Sequence, residues 1–447
     1  MKIKEFFNSS YVNFGSYDNI RKISNFCDGL KNASRKVIYT FLQKDIKKAT
    51  RVDIASNLVT AYSLYIHGNI SGSIINLAQN FVGSNNLNLL APRGKFGKRL
   101  NPSAAAVRYI STNLSFITKK IFRDEDFPIL EQQEFEGQKI EPRFFVPIIP
   151  MLLVNGSQAP SVGFAQKIFP RNPKEIIQFL KEKLKDKNKK FESKPYFKGF
   201  TGKIEYGKNE NKNEDKRKII FKGNFERKNN TIIITELPLG YNLTSYIKIL
   251  QKLKENKKIK GWKDKSDTKK DIFRFEVQVK KEILDLSDEE ILEFFKLIKR
   301  ETENFTCIDE NNKIKQFQNE NEVFENYFKI RLLYYKKRKE FELKRKREEL
   351  IILVNKYKFV EAIINKKIIV FKKSKQEIID QIKNILKIKE NNFDYLLNMS
   401  IYSLTDEKMK ELKNKILKLK KEYQIYKNTS IEQIWLNELN ELDKLIN

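Results

Sequence analysis

The sequence predicts an α+β fold of several domains, and three observations support this prediction. Short apolar helical patterns with basic flanks fill roughly the first 60 residues, as in a helix-turn-helix or winged-helix module. The residues from about 195 to 285 contain the β-branched and alternating apolar runs typical of strands. Apolar residues spaced by seven begin near residue 320 and predict a long antiparallel coiled coil. The expected domains are a winged-helix domain over 1–165, an α+β domain over 166–318, and a coiled coil over 319–447 with a globular tip at about 365–405.

The composition favours a nucleic-acid partner and a reducing compartment. Among 447 residues, 88 Lys and Arg exceed 57 Asp and Glu, which gives a net charge of +31. Such a charge favours polyanions, although a general bias toward lysine would produce the same excess. Cys27 and Cys307 lie far apart without CxxC spacing, so we expect no cysteine-based zinc site. Pro147 and Pro150 interrupt the longest apolar run and no secretion signal is recognisable, so we expect neither a membrane span nor export.

The N-terminal region should form short helices with a basic turn between them. Ser34 is the expected cap of the second helix, and Ile54 and Leu58 lie on the apolar face of the third. Four cations lie around Asp28-Gly29, namely Arg21, Lys31, Arg35 and Lys36. They indicate either a phosphate-binding turn or ordinary surface charge. His67 is the only histidine of the chain, and it precedes an apolar helix, where it could hold a phosphate oxygen or be structural.

A tyrosine with several nearby cations is the best candidate for chemistry. Gly94 and Gly97 let the backbone approach a bulky partner, and the same loop carries the cations Arg93, Lys95, Lys98 and Arg99. Three alanines, 104–106, favour a helix that leads into Arg108 and Tyr109. A free phenol has a pKa of about 10, so a nucleophilic tyrosine needs positive charge close by. The alternative is a half-buried aromatic residue beside a surface arginine.

The later regions show strand and heptad patterns. Phe273, Phe275, Val277 and Val279 alternate with polar residues, which indicates a half-buried strand, and 206–218 is a charged insertion expected to form a mobile loop. Two helical arms should form the coiled coil, one with Leu343, Leu350, Tyr357 and Ile364 and the other with Met409, Leu412, Ile416, Leu419, Tyr423 and Tyr426. The apolar tip between them suits either self-association or packing on its own domain.

Several segments resemble, in the same order, the breakage-reunion region of type IIA DNA topoisomerases. The first is DNIRKISNFCDGLKNASRKV, and the second is YIHGNISGSIINLAQNFVGSNN. The third, APRGKFGKRLNPSAAAVRY, contains an AAAxRY motif, and PIIPMLLVNG, FKGFTG, ITELPLG and FDYLLNMSIYSLT follow. The resemblance covers nearly the whole chain and is greatest for the gyrase A-like medium subunit of the phage type. It implies that the α+β domain is the tower domain of that family.

The resemblance also implies residue roles. Tyr109 matches the nucleophile that attacks a DNA phosphodiester and becomes a 5′-phosphotyrosine, with Arg108 beside it. Arg21 matches an arginine that reaches the scissile phosphate from the partner protomer's side. His67 completes the expected catalytic group, and the expected DNA contacts are Lys31, Arg35, Lys36, Lys95, Lys98, Arg99 and Pro160.

Three positions depart from the family pattern. Ile66 replaces the first motif histidine, and Asn32 replaces the proline after the motif lysine. Pro160 stands where the family inserts an aliphatic wedge between base pairs, and proline can serve as such a wedge. Val162 is the alternative wedge residue.

The family's ATPase and toprim segments have no counterpart in this chain. The acidic run 124–126 is expected to be surface charge, and no metal ligands are expected in this chain. The resemblance therefore implies a homodimeric subunit in bacterial or phage-infected cytoplasm. A gyrase B-like partner would bind ATP and hold Mg²⁺. Two alternatives stay open, a tyrosine recombinase or nickase and a non-enzymatic DNA-binding coiled-coil protein; a single histidine in the chain disfavours the recombinase.

Overall fold

The structure, a computed structural model, describes residues 3–64, 66, 68–207, 218–388 and 392–446. The chain divides into two compact units. One contains the residues up to Arg331 together with those from Leu436 onward, and the other is Leu332–Trp435. The predicted charged insertion lies largely outside the described residues. No described helix is long and apolar enough to cross a membrane.

The first unit contains helices and several small sheets. Those helices are α1 (Ile3–Phe6), α2 (Val12–Lys22), α3 (Asn32–Gln43), α4 (Val52–Ser63), α5 (Ser71–Ala78), α6 (Thr118–Ile121), α7 (Met151–Asn155), α8 (Pro173–Lys183), α9 (Leu243–Glu255), α10 (Lys281–Leu284) and α11 (Asp288–Phe294). The long helix α12 (Glu320–Ile364) begins in this unit and continues into the second. The second unit then contains α13 (Lys375–Leu386), α14 (Asp394–Leu397), α15 (Asp406–Asn428) and the start of α16 (Ile431–Asp443).

The strands of the described residues all lie in the first unit and pair antiparallel. In chain order they are β1 (Thr50–Arg51), β2 (Leu90–Arg93), β3 (Ser111–Leu114), β4 (Gln132–Phe135), β5 (Gln138–Pro142), β6 (Ser157–Pro160), β7 (Ala165–Ile168), β8 (Lys203–Tyr206), β9 (Lys218–Lys222), β10 (Asn224–Lys228), β11 (Thr231–Glu236), β12 (Gly261–Asp264), β13 (Phe275–Gln278), β14 (Ile298–Thr302), β15 (Phe305–Ile308) and β16 (Ile314–Phe317). Their sheets are β1-β3-β2, β10-β11-β13-β12, β14-β9-β8 and the pairs β4-β5, β6-β7 and β15-β16.

The N-terminal part is a winged-helix arrangement, as predicted. Helices α3, α4 and α5 pack against each other and against the sheet β1-β3-β2. Val37, Phe41, Val59 and Ile74 are fully buried between them. The predicted cap was wrong by three residues, because α3 begins at Asn32 with Lys31 at its N-cap position and no side chain caps it.

The helix predicted from the alanine run does not form. Residues 101–106 have no regular structure, a single 3₁₀ turn covers Val107–Tyr109, and β3 follows at once. Strand β3 is the central strand of its sheet, with Ser111–Leu114 paired to β2 and its first two residues paired to β1. The Ala105 N–H donates to the Lys95 carbonyl (2.9 Å) instead of to a helical partner, so tertiary contacts override the helix propensity of the three alanines.

The following α+β domain confirms the prediction of a mixed fold. Its four-stranded sheet packs against α9 and α11. Alternate residues of the neighbouring strands β11 and β13 enter this core, namely Ile232, Ile234, Phe275 and Val277. Tyr246 of α9 is also fully buried, and its hydroxyl donates a hydrogen bond to the Phe295 carbonyl (2.9 Å). The tower domain implied by the resemblance therefore has its own core.

The second unit contains an antiparallel helical pair with a small tip. On α15 the predicted residues Leu412, Ile416 and Leu419 are buried. Across the pair, Lys339 donates to the Thr429 carbonyl (2.6 Å) and Lys346 pairs with Glu422 (3.4 Å). A later residue of α12 thus contacts an earlier residue of the other arm, which shows that the two arms are antiparallel. The tip has its own core, which includes Phe359, Ile368, Ile382, Phe393 and Leu396.

One acidic residue has a different role from that predicted. Asp126 was expected to be surface charge, but it is buried and pairs with the fully buried Arg331 of α12 (2.9 Å). Nearby, Arg123 pairs with Glu441 of α16 (3.0 Å). These charge pairs lie within the first unit and fix the first-unit parts of α12 and α16.

We expect the Leu419→Ala substitution to destabilise the helical pair by about 2–5 kcal/mol, because it leaves a cavity in a buried seam. Leu417→Ala is the matched control, since Leu417 is exposed on the same helix, and it should change stability by less than about 0.5 kcal/mol. The helical circular-dichroism signal during denaturation measures both effects. Equal shifts for the two variants would contradict this seam.

Candidate active site

Tyr109 projects from a 3₁₀ turn into solvent. Its side chain is 75% exposed, whereas the next residue, Ile110, has an extended backbone and is 1% exposed. The guanidinium carbon of Arg108 lies 5.7 Å from the centre of the Tyr109 ring. Gly94 has a φ of +100°, and a Cβ there would lie 3.5 Å from the Tyr109 carbonyl oxygen. The phenol is thus accessible on a closely packed backbone, and the alternative of a half-buried aromatic residue does not hold.

The loop before this turn carries two lysines that differ in their contacts. Lys95 is exposed, and its carbonyl accepts the Ala105 N–H (2.9 Å). Lys98 is exposed as well, but its ammonium donates to the carbonyls of Thr268 (2.7 Å) and Lys269 (3.1 Å). Lys95 is therefore the loop lysine with the greatest freedom to contact DNA.

Arg99 is a correction to the sequence prediction. It is buried, and it donates to the Leu237 carbonyl (2.8 Å) and lies 3.5 Å from Glu236. Burial lowers the pKa of Arg99, although Glu236 opposes this effect. Its guanidinium joins the winged-helix part to the tower domain and is not available to DNA in this conformation.

Arg35 and Lys36 also have internal partners instead of the predicted DNA contacts. The Arg35 guanidinium donates to both carboxylate oxygens of Asp28 (2.7 and 3.2 Å) and to the Leu30 carbonyl (3.1 Å). Burial alone would lower the pKa of Arg35, but Asp28 raises it. Lys36 pairs with the buried Glu141 at 2.7 Å. Releasing either cation would leave a buried carboxylate unpaired, which is costly.

Lys31 and Arg21 are partly exposed and remain candidates. The Lys31 ammonium donates to the Gln158 carbonyl (2.8 Å), and burial lowers the pKa of Lys31. Arg21 pairs with Asp18 at 3.2 Å, and its side chain is partly exposed. The predicted role of Arg21 involves the partner protomer and so stays a prediction. His67 lies outside the described residues.

Pro160 lies at the tip of the β6-β7 hairpin. It pairs with Ala165 and is exposed, and the Ser161 N–H donates to the Phe164 carbonyl (2.9 Å) to close the turn. Phe164 is itself 44% exposed, so it is a second apolar group at this tip that sequence reasoning missed. A phenylalanine after a glycine in a short hairpin turn was the available signal.

Val162 is not free to act as a wedge. A Cβ built at Gly15 of α2 would lie 3.4 Å from Val162, and the Asn19 amide donates to the Val162 carbonyl (3.2 Å). The hydrogen bond from Asn19 holds Val162 next to Gly15 of α2. Among the two wedge candidates named from the sequence, the structure leaves Pro160 available.

Asp18 connects the hairpin tip to the helix that carries Arg21. Its carboxylate pairs with Arg21 and with Lys22 (3.0 Å) and accepts the Ser161 hydroxyl (3.0 Å). Burial alone would raise the pKa of Asp18, but the bonds from Lys22 and Ser161 outweigh it, so the pKa is lowered. The carboxylate is therefore ionised when it holds the three donors.

Two lysine-lined cavities of about 200 and 330 Å³ lie beside this hairpin and share the residues 155–158. Lys31 lines the first, and Lys167 and Lys299 line the second. The sequence had not singled out Lys167 or Lys299. Both pair with Glu301, which removes part of their charge. Within the described ranges, no cluster of three or more His, Cys, Asp or Glu residues could hold a metal ion.

Comparisons with known proteins give a consistent result. The profile of the family described as the A subunit of DNA gyrase/topoisomerase IV matches residues 21–440. The chain is 31% identical over 458 residues to the mitochondrial DNA topoisomerase 2 of Dictyostelium discoideum, covering 99% of this chain and 35% of that one. It is 36% identical over 404 residues to DNA topoisomerase 2 of Saccharomyces cerevisiae, covering 86% of this chain and 27% of that one.

A solved structure is similar over almost the whole chain. It is the crystal structure of the DNA-binding, cleavage and re-ligation domain of Plasmodium falciparum topoisomerase II, with a TM-score of 0.87 and 31% identity. The similarity covers 99% of this chain and 64% of that one. The chain spans about a third of the length of the curated relatives.

We expect Asp18→Asn to lower the free energy of unfolding by about 1–3 kcal/mol at pH 7, because hydrogen bonds to a charged group contribute in this range. Since folding lowers the pKa of Asp18, this stabilisation is present above the ordinary carboxyl pKa of about 3.9 and is lost as the pH falls through the folded-state value. The difference between wild type and variant should therefore shrink on acidification below about pH 4.

Urea unfolding at several pH values measures this difference. Asp124→Asn, at an exposed carboxylate, is the control and should show little change at any pH. A wild-type advantage that does not depend on pH would contradict the anchoring role of the ionised carboxylate.

Proposed function

This chain belongs to the family of DNA gyrase/topoisomerase IV A subunits, and we propose that it breaks and rejoins DNA within an ATP-dependent type II topoisomerase, with Tyr109 as the nucleophile. The observation that carries this proposal is the exposure of Tyr109 beside Arg108 on a closely packed turn. The family relation supports DNA as the substrate.

The proposed reaction is a reversible phosphoryl transfer. The Tyr109 oxygen loses its proton and attacks a DNA phosphorus, a new O–P bond forms, and the bond to the 3′ oxygen breaks. The 3′ oxygen leaves as a hydroxyl, and the 5′ end stays attached to Tyr109. Arg108 supplies fixed positive charge where the phosphorane gains negative charge. Reversal by the 3′ hydroxyl needs no external energy, because one phosphodiester replaces another.

Mg²⁺ and ATP belong to parts outside the described residues in this proposal. The described residues contain no cluster suited to a metal, so no step of this chain is assigned to Mg²⁺. The toprim and ATPase functions would come from segments outside this chain. The predicted separate gyrase B-like subunit, and with it the phage-type medium subunit, gain no support from the relatives, which are longer topoisomerase 2 chains.

Dimerisation and location remain proposals too. The tip of the second unit exposes Ile369, Phe371 and Tyr402, which suits contact with a second copy. One relative is a mitochondrial protein, so the predicted bacterial or phage-infected cytoplasm gains no support from it. Sedimentation of the purified chain would measure the dimer directly.

We expect Tyr109→Phe to abolish the covalent protein–DNA adduct that a denaturant quench traps from the complete enzyme with Mg²⁺, because the attacking oxygen is missing. DNA binding at low salt should stay within about twofold, because phosphate contacts provide most of the affinity. Tyr62→Phe is the matched control, as Tyr62 is another exposed tyrosine, on α4, and it should keep the adduct.

An adduct in the Tyr109→Phe variant would show that another residue is the nucleophile. Adduct formation without any ATP-binding or toprim segment would refute the assignment of those functions elsewhere. If the wild-type enzyme binds DNA but never forms an adduct, the non-enzymatic DNA-binding alternative is correct. A 3′-phosphotyrosyl product would favour the recombinase alternative.

We propose Pro160 as the DNA wedge, and Pro160→Ala should reduce both DNA bending and cleavage, because a smaller side chain inserts less apolar surface between base pairs. Energy transfer between dyes at the two duplex ends measures bending. Phe164→Ala is the comparison variant and should leave bending close to wild type. The reverse pattern would transfer the wedge role to Phe164.

A further inference from the structure

Two arginines lie on either side of the strand that follows Tyr109. In the sheet β1-β3-β2, Ser111 pairs with Arg51 on one side and with Arg93 on the other. Directly opposed residues of antiparallel strands lie on the same face of a sheet. The side chains of Arg51, Ser111 and Arg93 therefore form one row across the three strands.

This row is on the solvent side of the sheet. The next pair of positions on β3 and β1, Thr112 and Thr50, includes the fully buried Thr112, so the opposite face belongs to the core. Ile110 is extended and buried, so alternation along the strand places Ser111 on the side away from the core, and Tyr109, at the end of the preceding 3₁₀ turn, is itself 75% exposed. Both the row and the Tyr109 phenol therefore reach solvent, and only the buried Ile110 separates Tyr109 from Ser111 in the chain.

Backbone contacts hold both arginines close to the nucleophile. The Val52 N–H, next to Arg51, donates to the Ile110 carbonyl (3.0 Å). Gly94, next to Arg93, packs against Ile110, and a Cβ there would lie 3.2 Å from the Ile110 side chain. Both strands that carry the arginines are thus fixed to the residue between Tyr109 and Ser111.

The two arginines differ in their available charge. Arg51 is 56% exposed and forms two bonds to the Asp53 carboxylate (3.1 and 2.9 Å), so part of its charge is neutralised. Arg93 is exposed, and no carboxylate of the described residues forms an ion pair with it. Arg93 should therefore contribute more to the binding of an anion.

We propose that Arg51 and Arg93 form a clamp for a DNA phosphate one or two nucleotides from the phosphate that Tyr109 attacks. Ser111 is two residues from Tyr109, so their Cα atoms lie at most about 7 Å apart. DNA advances about 3.4 Å per nucleotide along its axis. Arginine binds phosphate through paired, charge-assisted hydrogen bonds. This proposal rests on the function proposed for Tyr109, and it extends the site to two residues that align the cleaved strand.

If the clamp exists, neutralising the one phosphate that it binds should reduce adduct formation. Duplexes containing the mapped cleavage site carry a single methylphosphonate at each position within three nucleotides of the scissile phosphate. With the wild-type complete enzyme, adduct formation should fall roughly tenfold at one or two of these positions, the size of one charge-assisted contact. Arg93→Gln should cause a similar fall on the unmodified duplex. The methylphosphonate at the clamped position should then have less than a twofold further effect.

Two further arginine variants test whether the effect is specific to the clamp. Arg51→Gln should produce the same pattern with a smaller effect, because Asp53 already neutralises part of the Arg51 charge. Arg345→Gln is the matched control, since Arg345 is an exposed, ion-paired arginine on α12, and it should leave every methylphosphonate effect unchanged. If the Arg93→Gln enzyme remains as sensitive as wild type at all positions, the clamp does not exist.

A binding measurement separates this proposal from the assignment of the nucleophile. The same set of duplexes is titrated with the Tyr109→Phe enzyme, with and without Arg93→Gln. Coupling between Arg93 and the same phosphate should persist there, because the clamp acts before any bond is broken. If Arg93 and the phosphate remain coupled in binding but the adduct does not depend on Tyr109, only the assignment of Tyr109 as the nucleophile is refuted. If binding shows no coupling between Arg93 and any phosphate, only the clamp is refuted.

Discussion

The burial of Ile110 is the constraint on which the candidate active site depends. Its side chain enters the core, and its carbonyl accepts the Val52 N–H at 3.0 Å. The extended backbone of Ile110 turns the next residue, Ser111, away from the core. Tyr109 ends the 3₁₀ turn directly before this anchored residue and is exposed, and the glycine at position 94 allows the adjoining loop to come close enough to complete the packing. These contacts fix the backbone around Tyr109, so the phenol extends from a fixed position, as a nucleophile requires.

The large positive charge is divided between structural and available cations. Arg35, Lys36 and Arg99 are held by Asp28, Glu141 and Glu236, and all three pairs are buried. Lys95, Arg93 and Arg108 are exposed and lie in the segment around Tyr109. Net charge alone would have counted both groups equally. In the proposed complex, the cations with the greatest freedom to meet DNA phosphate are those that are not themselves buried beside a carboxylate, since a buried carboxylate retains a buried partner strongly.

The sequence alone predicted the structure correctly where the signal was local or repeated. The seam residues Leu412, Ile416 and Leu419 were identified by spacing alone, and the strand around Phe275 by alternation. It failed where a distant partner decides the outcome. The Ala105 N–H donates to the Lys95 carbonyl, and the strand that follows pairs with residues far away in the chain, so the three alanines do not form a helix.

The site was predicted with the same limits. Tyr109 and Arg108 came from a contiguous motif, and the structure gives them the exposure that the motif requires. The burial of Arg99 depends on the Leu237 carbonyl and Glu236, more than a hundred residues later, which no local pattern indicates. The row formed by Arg51 and Arg93 likewise depends on strand register. Register is set by which side chains face the core, and it is not readable from either segment by itself.

The hairpin that carries Pro160 and the helix that carries Arg21 share one ionised residue. Asp18 accepts the Ser161 hydroxyl at 3.0 Å and pairs with Arg21 at 3.2 Å. A displacement of the hairpin tip that breaks the first bond changes the number of donors around a buried carboxylate. The carboxylate must then rely more on Arg21 and Lys22, because an under-satisfied buried charge is costly. If DNA contacts the tip as proposed, this contact is linked to the position of the Arg21 guanidinium through the electrostatics of Asp18, without a change in the fold.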